Sequence, residues 1–503
     1  MNSLSKYIYP TGLALLALLV FMYVFNAKID FNGDNCYYYI FASSLAAGNG
    51  YVDMWGNPTA LFPPGYPLLM APLRFFTDSV VAQKVLNLLF LFAGVLLFYA
   101  ALLREKVSRA LAFVVCAAVI ATPHILEFST MMMIEPSCIL FIILAIYAYT
   151  RLPQGEGVWR SPWLYVLLFA VVYAFYIRTQ AVVLAGAVVL ACLCARRFKV
   201  AVAVSGAFVL GYLPWVLRNI VLGVGQSRYM SQIDFSNVWG HIRMLVVQAV
   251  PESIVPFWDI DYAQRPTLLL VFIAVATLAV VLYGLWQFER LRVLLIAFFV
   301  GNIAIISIMN TPSYYRYLVI VLPVVTAGFL VGLWNLFNSL SLRCVKRAFS
   351  PLFLLLLFIP SLNADESSAK HSVAGLHNLA QSPYPVHIDN YFDLGDALAK
   401  KNRDVTVAAR KPELLYVKSG LKALRLREEV DDIGILNFMV DKKVDYLLVE
   451  NLGFKFAFER LHPMVERYEP FFELDMYTRE PVNVMYKFNR SLAERWLVYK
   501  GHR

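Results

Sequence analysis

The sequence predicts a polytopic α-helical membrane protein carrying a small extracytoplasmic α/β domain at its C-terminal end. Three observations point there. Of 503 residues, 60% are hydrophobic and only 16% charged, whereas a soluble domain holds about half and about a quarter. The apolar residues fall in blocks of about 15–22, the length a helix needs to cross a bilayer core. Beyond residue 362 the composition becomes that of a soluble protein, so the chain divides into a membrane body, 1–362, and a tail domain, 363–503.

Taken in order, the blocks give eleven spans: 10–26, 81–103, 108–122, 133–150, 162–177, 180–195, 200–217, 267–287, 293–309, 316–338 and 349–362. No A-x-A site follows the first, so it reads as an uncleaved anchor. Alternate connections carry the positive charge: Arg104, Lys106 and Arg109; Arg151 and Arg160; Arg196, Arg197 and Lys199; Arg290 and Arg292; Arg343, Lys346 and Arg347. These are expected on the cytoplasmic side of a plasma (inner) membrane. Eleven spans then put the N-terminus inside, and the tail and the long loops 27–80 and 218–266 outside. The net charge of +10 is accounted for by these connections, so nucleic acid is not an expected partner. Of the six cysteines, only Cys36 lies in an outer loop. All six read as packing residues, without a structural disulfide.

The outer face holds the candidate chemistry. In the first outer loop Asp34 is followed by Tyr and Leu at helical spacing, which suits an amphipathic helix along the interface, ended by Gly48 and Gly50. Pro63, Pro64 and a turn at Gly65 re-aim the chain. Tyr37 and Tyr66 are the loop's candidate substrate contacts. Asp34 reads equally as a solvated loop acid or helix cap. Glu135-Pro136 opens the fourth span. A carboxylate at membrane depth is costly and marks function, or it is a first-turn acid favoured by the helix dipole. His124 and Glu127 lie close in sequence and, with Asp34 and Glu135, are weak candidates for a divalent metal. Arg178, Arg218, Arg265 and Arg316 sit at outer span ends, where orientation does not require positive charge. Guanidinium groups there suit a phosphate at headgroup depth. The alternative is snorkelling to lipid headgroups, and Arg74, Lys84, Arg228 and Arg243 are also placed outside.

These residues together resemble a known family. Asp34, Ala42, Leu45, Gly48 and Gly50-Tyr51, followed by Phe62-Pro63-Pro64-Gly65-Tyr66-Pro67, are similar to the first outer loop of bacterial GT-C glycosyltransferases. These are relatives of protein O-mannosyltransferases and lipid A aminoarabinose transferases. Glu135-Pro136, Arg178-Thr179-Gln180, Pro214-Trp215, Arg218-Asn219, Arg316-Tyr317 and Pro323 follow in the same order. The resemblance implies a GT-C fold and transfer of a hexosyl or pentosyl group from a polyprenyl-phosphate donor to an extracytoplasmic glycolipid, glycan or protein. It also implies Asp34 as catalytic acid and Glu135 as the second acid. Asp34-Asn35 stands where the mannosyltransferases carry an Asp-Glu pair. Leu61-Phe62 stands where the aminoarabinose enzymes carry a Lys. Neither substrate assignment therefore transfers.

The chemistry fits the residues independently of that resemblance. A hydroxyl attacking an anomeric carbon needs one carboxylate to take its proton and cations to steady the departing lipid phosphate. No G-x-x-x-x-G-K-[ST] and no strand-bound G-x-G-x-x-G occurs, so no nucleotide site is expected. Two other readings stand beside this one: a transporter or flippase for a lipid-linked substrate, and a polysaccharide polymerase or ligase. In the tail, VTVAAR, DYLLVEN and VNVMYKF read as strands, and DALAKK, GILNFMVDKK and FERLHPMVER as helices. This domain is expected to cap the active site or help select the acceptor.

Overall fold

The computed structural model describes residues 7–29, 33–154, 156–224, 232–254, 268–310, 314–339 and 384–503. Arg228, Arg265, Cys344, the connection with Arg343, Lys346 and Arg347, and the expected span 349–362 lie outside them. The chain groups into two compact units, Met1–Asn26 with Pro58–Ala374, and Ala27–Asn57 with Gly375–Arg503. The sequence alone suggests one cut at 362; by compactness, the segment 27–57 groups with the tail instead.

The first unit is helical. Its main helices are Ile8–Val24, Val80–Arg104, Arg109–Ile120, Glu135–Arg151, Pro162–Ile177, Val182–Cys194, Phe198–Val221, Leu268–Trp286, Arg292–Ser307 and Leu322–Ser339. Among the described residues, Val80–Arg104, Phe198–Val221 and Leu322–Ser339 are long and apolar enough to cross a membrane. A fourth span results if Arg109–Ile120 and Pro123–Ser129, bent by 58°, count as one. Helix Phe198–Val221 buries only Val200, Ala201 and Val204, and Val202, Val209, Leu210 and Ile220 are exposed. An apolar surface of that extent suits hydrocarbon and not water. Elsewhere in the bundle, Ser79 and Ser108 accept from the backbone N–H of Ala82 and Leu111, capping helices Val80–Arg104 and Arg109–Ile120.

The positive connections among the described residues meet at one end of this unit. Arg104 and Arg290 both donate to the carbonyl of Thr150, at 3.2 Å each, near the C-terminus of helix Glu135–Arg151. Glu105 accepts from the Arg290 backbone N–H at 2.9 Å, and Lys106 pairs with Glu289 at 2.6 Å. Arg197, Arg290 and Arg292 line a common pocket beside Tyr149. Helix Glu135–Arg151 therefore runs from Glu135 at one end to this basic cluster at the other.

The loop containing Pro63-Pro64-Gly65 differs from its expected form. Gly65 is not a turn residue but the first residue of helix Gly65–Arg74. A Cβ added there would stand 2.6 Å from the Tyr176 backbone, and the Gly65 carbonyl accepts from the Tyr173 hydroxyl at 3.0 Å. Glycine is required because this helix packs closely on helix Pro162–Ile177. The expected span 316–338 is also broken: a short helix, Tyr314–Leu318, precedes Leu322–Ser339.

The second unit is an α/β domain. Its strands are β1 (Val407–Ala409), β2 (Ala423–Arg425), β3 (Tyr446–Val449), β4 (Phe472–Tyr477) and β5 (Val484–Phe488), in sheet order β2-β1-β3-β5-β4. β1 pairs in parallel with β2 and β3, and β5 pairs antiparallel with β3 and β4. Helices Val386–Lys401, Pro412–Ser419, Asp432–Asp441 and Arg490–Tyr499 pack around it. The core includes Leu436, Met439, Leu447, Leu461 and Leu497. Helix Asp34–Ala46 belongs to this unit and packs on helix Pro412–Ser419. Asn35, Cys36, Tyr38, Ile40, Phe41 and Ala42 are all buried. Six buried positions in eight residues cover several faces, so this is a packed helix and not the expected amphipathic one. Gly48 ends it with φ +77°, as its position suggests. Ile29 is tied to Tyr384 through its backbone N–H.

Candidate functional site

Glu135 is the first residue of helix Glu135–Arg151, where the dipole favours a carboxylate and Pro136 forfeits no helical hydrogen bond. It is fully buried. Its Oε1 accepts from Arg178 Nη1 at 2.6 Å and from Arg316 Nε at 3.1 Å. Its Oε2 is buried without a hydrogen-bond partner among the described residues. Two guanidinium groups against one carboxylate leave a formal charge of +1 in a site shielded from water.

Each arginine reaches Glu135 from an interrupted helix. Arg178 caps the C-terminus of helix Pro162–Ile177 in extended backbone, φ −147° and ψ 122°. This redirects its side chain before the single turn Thr179–Ala181. Its Nε donates to Gln180 Oε1 at 3.1 Å, and its guanidinium lies over the Tyr317 ring at 4.7 Å. Gln180 Nε2 donates to Asn302 Oδ1 at 2.8 Å and to the Tyr317 carbonyl at 2.9 Å. Asn302 Nδ2 is held by the Phe298 carbonyl at 2.7 Å. Arg316 sits on the short helix Tyr314–Leu318, with its side chain 18% exposed against 3% for Arg178. Beside this network lies a pocket of about 260 Å³, lined by Arg178, Gln180, Phe175, Tyr212, Ile305 and Met309 among others. Its wall is mostly apolar and carries one guanidinium, which suits an amphiphile with an anionic group.

The other sequence candidates separate into different settings. Arg218 donates to the Thr59 carbonyl at 2.7 Å and to Asn219 Oδ1 at 2.8 Å, and stacks on Trp215. Glu135 thus gathers Arg178 and Arg316, while Arg218 braces the loop before Pro63. Arg265 lies outside the described residues. Tyr66 is fully buried, and its hydroxyl donates to Asn87 Oδ1 at 3.0 Å. Asn87 in turn donates to the Met131 and Met133 carbonyls at 2.6 and 2.9 Å. Tyr66 therefore ties the loop to helix Val80–Arg104. Lys84 is buried on Asn26, and Arg74 pairs with Asp78 at 2.6 Å.

Asp34, partly buried, opens helix Asp34–Ala46 in the second unit, with Tyr37 one turn on. Burial, reinforced by the Glu413 carboxylate, raises the Tyr37 phenol well above its usual range. His124 stacks on Tyr315 at 4.9 Å and stands 3.9 Å from Glu127. Among the described residues no three His, Cys, Asp or Glu side chains come together to hold a metal. Within the first unit, His124 and Glu127 stand near one another, whereas the Glu135 carboxylate is engaged by Arg178 and Arg316. Four cysteines, Cys36, Cys116, Cys138 and Cys192, are buried, whereas Cys194 is exposed.

Asn87, Asn302 and the supporting role of Gln180 are absent from the sequence reading. The available signal was an amide in the middle of an apolar block, which inside a membrane body marks a hydrogen-bond network.

No family profile matches the sequence, and comparison with curated proteins gives no match. Solved structures do match in fold. ArnT from Cupriavidus metallidurans, in a structure bound to undecaprenyl phosphate, superposes with a TM-score of 0.61 at 11% identity, covering 95% of this chain and 97% of that one. The archaeal oligosaccharyltransferase AglB from Archaeoglobus fulgidus, in complex with an inhibitory peptide and a dolichol-phosphate, gives 0.56 at 12% identity, covering 96% and 74%. The Archaeoglobus fulgidus enzyme in complex with Zn and sulfate gives 0.53 at 12% identity, covering 94% and 72%. The likeness runs through both units and shows the fold: a helical GT-C membrane body with a C-terminal α/β domain.

Proposed function

We propose that this protein is an integral membrane glycosyltransferase that moves a hexosyl or pentosyl group from a polyprenyl-phosphate donor to an acceptor outside the cytoplasm. The observation that carries the reading is the Glu135–Arg178–Arg316 cluster beside an apolar pocket. A lipid phosphate supplies both matching parts, an anion for the net positive centre and a hydrocarbon chain for the pocket wall. The two neighbours described as bound to undecaprenyl phosphate and dolichol-phosphate support this choice.

In the reaction, the acceptor hydroxyl oxygen bonds to the anomeric carbon. The bond from that carbon to the phosphate oxygen breaks, and its electron pair leaves on the phosphate. Asp34 takes the hydroxyl proton as general base. Arg178 and Arg316 stabilise the charge growing on the leaving phosphate, where low dielectric makes fixed cations effective. Glu135, buried beneath both guanidinium groups, is a positioning residue: it holds them in place and does not exchange the proton.

The deciding experiment has two arms. Mass analysis of envelope glycolipids and glycoproteins, with and without the gene, should show one acceptor losing one sugar. The purified protein should then transfer that sugar from its polyprenyl phosphate. Loss of the sugar with its lipid-linked form trapped on the cytoplasmic face, and no transfer by the purified protein, would favour a flippase instead.

A further inference from the structure

The second unit holds a concentration of buried polar atoms that its own fold does not satisfy. Arg410 Nη1, Glu413 Oε2 and both carboxylate oxygens of Glu450 are buried without hydrogen-bond partners among the described residues. Glu413 and Glu450 are 1% and 2% exposed. Such groups are rare in folded proteins, and each calls for an explanation. Here they share one location. Arg410 follows β1 directly, Glu450 follows β3 directly, and Glu413 lies in the first turn of the helix after β1. Glu450 is coupled electrostatically to Arg410 and Lys411, and the buried Tyr391 feels both Glu413 and Glu450.

Topology gives that location a meaning. β1 leads through helix Pro412–Ser419 to β2 on one side, and β2 leads through helix Asp432–Asp441 to β3 on the other side of β1. The winding direction therefore reverses between β1 and β3, and the chains leaving their carboxyl ends part. In open α/β sheets this switch point forms the crevice where ligands bind.

The chemistry narrows the ligand. Arg410 and Lys411 bring positive charge, and Glu413 and Glu450 bring carboxyl groups. Phe454 presents its ring 3.4 Å from the Arg410 guanidinium carbon. Glu428 pairs with Arg410 at 2.7 Å, so three carboxyl groups disfavour a phosphate, and two cations disfavour a metal ion. A neutral molecule whose groups each donate and accept suits both. We infer that the crevice at the carboxyl ends of β1 and β3 binds saccharide hydroxyl groups through Arg410, Glu413 and Glu450. It adjoins the start of helix Asp34–Ala46: a Cβ added to Gly33 would stand 2.8 Å from Glu413 Oε1. The inference rests on the glycosyltransferase proposal only in taking the bound saccharide to be the acceptor's.

The test uses full-length protein in detergent, without donor, and saturation-transfer NMR. The probes are the methyl glycosides of glucose, galactose and mannose, N-acetylglucosamine, inorganic phosphate and Mg²⁺. At least one sugar should bind, and Glu413→Met and Glu450→Met, which keep side-chain volume, should weaken it at least tenfold. Glu473→Gln, at an exposed position on β4, should bind as the wild type does. If either Met variant does not fold, Arg410→Gln should show the same loss. No sugar binding, binding of phosphate or Mg²⁺ alone, or wild-type sugar affinity in the folded variants overturns the inference. Because donor is left out, such a result leaves the transfer proposal standing. Sugar binding without transfer by the complete system would count against the transfer proposal instead.

Discussion

Arg178 donates to Glu135 across 2.6 Å with both side chains buried, and Arg316 shares the same carboxylate oxygen at 3.1 Å. Removing one partner of a buried ion pair leaves the other's charge uncompensated, at a cost of about 3–5 kcal/mol. Glu135→Ala strands two guanidinium groups and is expected to lower the melting temperature in detergent sharply. Arg316→Ala, at the more exposed partner, is expected to leave melting nearer wild type while weakening polyprenyl-phosphate-sugar binding by about 1.5–3 kcal/mol. Arg316→Lys should rescue poorly, since an ammonium lacks the planar fork. Wild-type donor affinity in Arg316→Ala would assign the cluster to structure alone.

Asn302 is expected to act on the donor through Arg178. It holds Gln180, which in turn fixes the Arg178 Nε. Asn302→Leu removes the acceptor for Gln180 Nε2, which keeps its bond to the Tyr317 carbonyl. A lost buried hydrogen bond costs about 1–3 kcal/mol. The expected kinetic signature is a raised donor KM with the acceptor KM unchanged. A fall in kcat and both KM values alike would point to general loosening of the bundle.

What the sequence revealed and what it hid follow from the range of the interactions. Helix Pro162–Ile177 matches its expected span because about sixteen apolar residues between a Ser-Pro start and Arg178 define it locally. Glu135, Arg178 and Arg316 each stood out singly in the sequence, because charge at span ends is unusual. Their convergence did not, since Arg316 lies 181 positions from Glu135. The bond from Tyr66 to Asn87 was hidden for the same reason: Asn87 sits inside an apolar block. In the tail, β2 and helix Pro412–Ser419 were missed, being short and lacking clear periodicity.

Stability should depend on pH through Glu450. Burial raises its carboxyl from an ordinary 4.5 to about 7. The folded protein therefore holds this proton more tightly than the unfolded chain. The stabilisation is complete below the unfolded value and is lost as pH rises from about 4.5 through about 7. The loss is about 3 kcal/mol at roughly 1.4 kcal/mol per tenfold change. Glu450→Gln keeps a neutral polar group, so full-length Glu450→Gln should melt above wild type at pH 8 and near it at pH 5. Parallel curves across that range would show that Glu450 does not control the transition.

Asp34 carries the proposed proton transfer. It stands partly buried at the first position of helix Asp34–Ala46, and it is coupled electrostatically to Glu413. A general base must reach the attacking hydroxyl within hydrogen-bond distance and must be able to take its proton. Asparagine keeps the shape and most of the hydrogen bonding but cannot take the proton. Asp34→Asn is therefore expected to fold, insert and bind donor as the wild type does, and to lose transfer by about 100-fold or more. Glu135→Gln should behave differently, because its role is to hold two guanidinium groups; donor binding and melting should fall with activity. Two controls separate the cases: the melting curve of the detergent-extracted protein, and donor affinity measured without acceptor. A well-folded Asp34→Asn that transfers sugar at close to the wild-type rate would leave Asp34 as a helix-start acid and remove it from the mechanism.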